Sequence, residues 1–239
     1  MAQQERAIRT RRIILETAAA IFDERGYKAT TIAEVLERAD VTKGALYFHF
    51  PSKGDLARGV LEGAVTTDGV RPQEVKLQEI VDILLLMAAR LPREPMLSAA
   101  LRMAIDLPSR REFGTAWPDW IELLTATLQE ARARGELLPH VVEADTARML
   151  VSTWTGVQVV TEGLPARRDL SEEIVCLLRH LLPAVARPEV LAGLEVSPAR
   201  AARLYEEMTA RREPRADGES GEGGKSGESR EGGESQDSR

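Results

Sequence analysis

Cysteine is almost missing: Cys176 is the single one in 239 residues. One thiol can close no intrachain disulfide and cannot supply the Cys/His ligand set of a structural zinc site, so a stapled mini-fold is excluded and a reducing, cytoplasmic setting fits. Aromatic residues are scarce too, at 4%, which argues against an all-β sandwich. No apolar run reaches the roughly 18 residues of a membrane span. The longest patch, residues 83–89, reads as a buried helix, and the opening residues Gln3 to Arg6 are polar where a secretion signal needs an apolar stretch. Glycine-rich phosphate loops, nucleophile elbows and helical histidine pairs are absent, and His49, His140 and His180 lie far apart. The chain is therefore read as neither an enzyme nor a metal or cofactor protein.

What is present is helix-forming and unevenly charged. Hydrophobic residues make up 43% and charged residues 29%, the profile of an all-α protein long enough for a proper core. The net charge of −6 hides an asymmetry. Residues 1–58 hold ten Lys/Arg against eight Asp/Glu, whereas the remainder holds 22 against 30. Arg6, Arg9, Arg11 and Arg12 cluster as a basic arm over residues 1–12 ahead of an acidic body. At the other end, Ala216–Arg239 has seven Gly, five Ser and seven acidic residues with nothing apolar beyond Ala216. The pattern predicts a disordered tail over 214–239.

Successive helices fill the space between. Ile14, Ala18 and Phe22 recur at helical spacing until Gly26 caps the run. Thr31-Ile32-Ala33-Glu34 is a capping box before Val35, Leu36 and Ala39. Asp40-Val41 turns the chain, Thr42 caps a short helix ended by Pro51, and Ser52 to Asp55 is another capping box opening a helix to about Thr66. Further helical patterns cover about 73–90, 95–106, 118–134, 143–164, 170–186 and 198–211.

Thr31 to Phe50 carries the functional signal. Two short helices joined by a tight turn, with Val35, Leu36, Val41 and Leu46 between them, form a helix-turn-helix whose second helix fits the DNA major groove. Its outer face presents Thr42, Lys43, Gly44, Ala45, Tyr47 and His49. Gly44 and Ala45 permit close approach to base edges and thymine methyls, Lys43 reaches a guanine or phosphate, and Thr42, Tyr47 and His49 suit phosphates at the groove walls. Lys53, at the next helix start, and the arm residues Arg6, Arg9 and Arg11 add positive charge, with Thr31 at the start of the first helix of the pair. The same pattern also describes an ordinary helical corner with Tyr47 and Phe48 in a core.

The string from Thr31 through Tyr47-Phe48-His49-Phe50-Pro51-Ser52-Lys53 resembles the DNA-binding head of the tetracycline-repressor (TetR) family over about residues 10–60. The Gln4–Arg11 start, the Phe22–Tyr27 block and the Val41–Phe50 string are closest in wording to the γ-butyrolactone autoregulator receptors of Streptomyces and their relatives. More weakly, so are Trp117 to Trp120 and Leu150 to Leu164. The resemblance implies a homodimeric repressor of secondary-metabolism genes that leaves a palindromic operator when a diffusible lactone or butenolide binds its carboxy-terminal domain. An antibiotic-sensing repressor of an efflux pump or of biosynthetic genes is the alternative. Expected domains are a head over 1–58 and a regulatory domain over 59–213. Trp120 opens a helix facing an apolar body, where an indole can stack on a small ring, and the resemblance marks it as a pocket residue. Trp154 and Thr161, seven apart on one helix, are further ligand candidates, with Met103 and Met149 as lining. Cys176, among Ile174, Val175, Leu177 and Leu178, reads as buried. Dimerisation is expected through about 143–164 and 170–186, whose apolar faces are broad.

Overall fold

The computed structural model describes residues 2–164 and 169–212. Among them the chain is helical: α1 (Ala2–Arg25), α2 (Ile32–Ala39), α3 (Lys43–His49), α4 (Lys53–Gly63), α5 (Lys76–Arg90), α6 (Pro95–Ile105), α7 (Leu107–Phe113), α8 (Trp117–Ala133), α9 (Glu143–Gly163), α10 (Leu170–Leu181), α11 (Pro188–Leu191) and α12 (Pro198–Arg212). One isolated bridge pairs Leu137 with Ala186, the sole extended pairing among the described residues. The expected tail over 214–239 lies outside them.

Local signals account for most boundaries. Gly26 takes φ +79° to end α1, a conformation a Cβ would penalise. The hydroxyls of Thr31, Thr42 and Ser52 each accept the backbone N–H three residues on, as the capping pattern requires. Three expectations change. The basic arm is not a separate strand of chain, because α1 begins at Ala2 and carries Arg6, Arg9 and Arg11 on its first turns. The helix opened by Ser52 stops at Gly63, before Thr66. The 170–186 pattern breaks at Pro183, which lacks an amide hydrogen; α10 ends at Leu181 and a 3-10 turn spans Leu182–Ala184. Val157 to Thr161 stays helical despite its β-branched residues, held by packing on one face.

α5 is the central post of the body, with residues buried on every side and α8, α10 and α12 packed around it. No side chain of its own caps it. Instead Glu136, buried in the turn after α8, accepts the N–H groups of Lys76 (2.9 Å) and Leu77 (2.8 Å). Asp82, wholly buried at mid-helix, takes two hydrogen bonds from Arg200 of α12 at 2.5 and 2.7 Å. Such pairing is what a dry carboxylate demands.

α1 joins head to body. Its inner face packs on α2, α3 and α4 and, farther along, on α6. At Gly59 the α1–α4 crossing is so close that a Cβ would meet Leu15 at 2.9 Å. Near its end, Asp23 accepts from the Ser98 hydroxyl, and the Arg102 guanidinium donates to the Asp23 carbonyl. α7 completes the junction, with the Phe113 ring edge-on to Tyr27 at 4.7 Å.

Candidate functional site

Two surfaces carry chemistry, one at each end of the α1–α4 unit. In the head, Leu46 and Val35 are buried and hold α3 across α2, while Asp40 adopts left-handed φ 51° to make the turn tight. The outer face of α3 then presents Thr42, Lys43, Gly44 and Tyr47 to solvent, with Ala45 and His49 half-buried beside them. Tyr47 and Phe48 are not core: both are exposed, Phe48 by 79%. A phenyl ring so open on this helix is available for contact, which sequence reasoning did not anticipate, since aromatic residues are read as core by default. Gly44 has nothing within 4 Å of where a Cβ would stand. The fold itself therefore makes no use of its small size, and the clearance faces outward.

The positive groups are arranged around that face. Arg6, Arg9 and Arg11 are exposed on α1, with the Arg11 guanidinium over the Phe50 ring at 5.0 Å. Lys53 is less free than its position suggested. Its ammonium sits 4.3 Å from the Tyr27 ring centre and 3.4 Å from the Lys28 carbonyl, to which it donates. Burial lowers its pKa, an effect opposed by the nearby Glu112 carboxylate. Thr31 and Thr42 spend their lone pairs on caps but keep their O–H groups for donation.

The second site lies in the body. Trp117, Trp120 and Trp154 wall an apolar cavity with Leu84, Met87 and Val151, and Ala64 at the end of α4 closes one side. Its volume is about 60 Å3, room for a few water-sized spheres, so a larger guest must push the walls apart. Trp154 is fixed: its indole N–H donates to the Leu84 carbonyl at 3.2 Å and ties α9 to α5. Trp120 is buried, and its indole N–H has no partner among the described residues.

The remaining ligand candidates are placed elsewhere. Thr161 does not reach the cavity; seven residues of helix carry it about 10 Å past Trp154. It lies in a separate polar cleft, with its hydroxyl given to the Val157 carbonyl. Met103 is buried outside the cavity wall, and Met149 is exposed on the far side of α9. Cys176 is likewise exposed rather than buried, because Ile174, Val175 and Leu178 take the inner face of α10. The polar group at the cavity is Thr155. Ser152, Thr153 and Thr161 all return their hydroxyls to the carbonyl four residues back. Thr155 makes no such bond among the described residues and faces the cavity. Its neighbour Trp154 drew attention away from it.

A groove-fitting helix pair beneath an apolar cavity in the body defines a class: a DNA-binding regulator with an effector-binding body. The comparisons agree. The family of bacterial regulatory proteins named for tetR matches residues 14–60. The A-factor receptor protein of Streptomyces griseus is 36% identical over 82% of this chain and 70% of its own length. The crystal structure of full-length native TylP, a tetR regulator from Streptomyces fradiae, is 42% identical with a TM-score of 0.78, covering 88% of this chain and 94% of that one. A crystal structure described as a gamma-butyrolactone receptor (ArpA-like protein) is 30% identical with a TM-score of 0.59, over 84% and 98%. The chain belongs to the tetR family of bacterial regulatory proteins. It is a ligand-responsive transcriptional repressor that binds operator DNA as a dimer, and no described helix is long and apolar enough to cross a membrane.

Proposed function

We propose that the effector is a γ-butyrolactone or butenolide held in the Trp120 cavity, and that its arrival releases a palindromic operator governing secondary metabolism. Residues 1–58 read DNA and 59–213 bind ligand and dimerise, with α4 crossing the boundary. The protein works in the cytoplasm and carries out no catalysis. The observation that carries this reading is that Trp120 and Thr155, whose indole N–H and hydroxyl have no partner among the described residues, line the same apolar cavity. The lactone carbonyl oxygen accepts from the Trp120 indole N–H at the ring edge, its ring oxygen or a hydroxyl meets Thr155, and its alkyl chain lies against Leu84, Met87 and Val151. The likeness to proteins described as an A-factor receptor and a gamma-butyrolactone receptor supports the same class.

On the DNA side the assigned contacts are Arg6, Arg9, Arg11, Thr31, Thr42, Lys43, Gly44, Ala45, Tyr47, His49 and Lys53, with Phe48 added from its exposure. Release requires that ligand bind the DNA-incompetent arrangement more tightly than the competent one. A chamber of about 60 Å3 supplies that difference: a guest too large for it favours an expanded body, and Ala64 places α4 in the wall that must move. Gel-shift titration on the protein's own upstream DNA tests this, with synthetic lactones and butenolides in one arm and a panel of antibiotics in the other. Release by lactones alone is expected. Release by antibiotics alone would replace this reading with the drug-sensing one.

A further inference from the structure

One line of residues on α3 is explained neither by the core nor by phosphate chemistry. Leu46 and the C-cap residue Phe50, four apart, are buried and fix the inward direction of this short helix. At about 100° per residue, the opposite and outermost line runs through Gly44 and Phe48, with Ala45 beside it. Phe48 is 79% exposed, more than any other large apolar residue among those described. The ring it meets is that of His49, edge-on at 5.0 Å. One turn back, nothing lies within 4 Å of where a Cβ of Gly44 would stand, so Phe48 overlooks bare backbone. Lys43 reaches instead toward the Tyr47 ring, 5.9 Å away on the adjoining line. The outermost line of α3 is thus uncharged and apolar: a phenyl ring and an alanine methyl over a glycine floor.

A phenyl ring left in water forgoes the gain of burial, and the fold supplies nothing to cover this one. Operator DNA does. The major groove displays hydrogen-bond donors and acceptors, which a phenyl ring cannot match, and its one apolar group is the 5-methyl of thymine. Phosphates at the groove walls call for a charge or an O–H, which Lys43 and Tyr47 carry on their own line.

We propose that Phe48 is a specificity-determining residue that reads thymine. In each half-site a thymine 5-methyl enters the space between the Phe48 ring, the Ala45 methyl and the Gly44 backbone. Cytosine, with a hydrogen where thymine has the methyl, leaves that space unfilled. The assignment rests on the reading that α3 lies in the major groove, and adds to it a base-reading contact that contains no hydrogen bond.

Uracil interference with the full chain tests this. The protein's own upstream DNA is made with a small fraction of thymine replaced by uracil, which deletes the methyl and keeps the base pair. Bound and free DNA are separated by gel-shift, and cleavage at uracil reports the positions depleted from the bound pool. Wild type is expected to exclude uracil at a thymine in each half-site, each methyl being worth about fourfold in affinity. Phe48→Ala is expected to accept uracil there and to bind the unmodified operator about fifteenfold more weakly over two half-sites, with affinity for unrelated DNA unchanged. The wild-type pattern is a test that no variant's folding can affect: no uracil-sensitive thymine overturns the proposal. So does an unaltered pattern in Phe48→Ala, or an equal loss of affinity for unrelated DNA, which would make Phe48 a backbone contact. Gly44→Leu in the same assay separates the two readings. If it abolishes the operator shift while Phe48→Ala keeps the wild-type pattern, this proposal alone fails; if it binds normally, the placement of α3 fails and the proposal with it.

Discussion

At the scale of single residues, the two functional surfaces differ in how substitution reads out. A Cβ at Gly44 meets nothing in the folded protein, so Gly44→Leu is expected to leave the thermal melt unchanged within about 0.5–1 kcal/mol, the cost or gain of helix propensity, while abolishing groove insertion. Melting and gel-shift together check this; normal operator affinity would show that α3 does not enter the groove. Lys53→Ala is expected to weaken binding to all sequences alike and to reduce the salt slope by roughly one per lost contact. In the cavity, Trp120→Ala should retain the dimer and operator binding yet lose ligand-induced release. If the indole is only core, the loss is instead about 3–5 kcal/mol of stability with impaired DNA binding. Thr155→Val, nearly the same shape, should weaken the lactone about 5- to 30-fold, equivalent to one hydrogen bond of roughly 1–2 kcal/mol, leaving operator affinity alone. Titrated gel-shifts distinguish these outcomes.

Among the elements, α7 merits a variant of its own. It stands one residue pair before the cavity-lining Ala116 and Trp117, its Phe113 ring meets Tyr27 edge-on, and the Lys53 ammonium lies 4.3 Å from the centre of the same Tyr27 ring. We propose that movement of the α8 start is passed through these rings to the Lys53 corner. Phe113→Ala is expected to keep operator affinity within a few-fold while raising the lactone concentration needed for release. Equal release by variant and wild type would remove α7 from the route. Salt links between elements set the acid limit. Arg132 holds Glu143 below its ordinary value, and Arg203 with Arg200 does the same to Glu195. A carboxylate depressed on folding stabilises above its unfolded pKa, here near 4.5, and that contribution fades as pH falls through the folded value. Melting temperature should be flat down to about pH 5 and fall below about pH 4.5, less steeply in Arg132→Met.

These elements also show what the sequence discloses and why. The helix pair at Ile32–His49 was legible because its caps act over three residues: Thr31 and Thr42 announce the helices they begin. α7 and α11 were missed although Pro108 and Pro188 stand at their first turns, because seven and four residues are too short for a periodic stripe. The cap of α5 was out of reach, since Glu136 lies about 60 residues from the amides it accepts. Cys176 was misjudged by its neighbours in sequence, whereas a helix rotates about 100° per residue and adjacent positions face apart. Trp120 and Trp154 were found at the cavity, but Thr155 was not, because which hydroxyl is free depends on bonds along α9 that composition does not reveal.

At the scale of the whole molecule, the dimer must cover a face that one protomer leaves open. Met149, Val159, Val160 and Leu164 are exposed along α9, interspersed with Ser152, Gly156 and Gly163, a surface that two copies can bring into close contact. We expect α9 and the neighbouring outer face of α10 to form the seam. Val160→Glu should raise the dimer dissociation constant by about tenfold or more, since it buries an unpaired charge, without loss of helicity. Sedimentation equilibrium and circular dichroism check this; an unchanged dimer places the seam elsewhere. Operator affinity should fall with it, because paired recognition helices are needed for a palindrome.

The continuity of α1 has a mechanical meaning. From Ala2 to Arg25 it is one unbroken rod, about 36 Å long at 1.5 Å per residue. Its far end is clamped to the body by Ser98 and Arg102 at Asp23, and its near end bears Arg6 and Arg9. A rotation of about 5° at the clamp sweeps Arg6, about 25 Å along the helix from Asp23, through roughly 2 Å, about the H···O length of a hydrogen bond. If Arg6 and Arg9 hold phosphates as proposed, a slight turn of the body is enough to lift them off, and a break in the rod would cost the protein its gearing before it cost its grip.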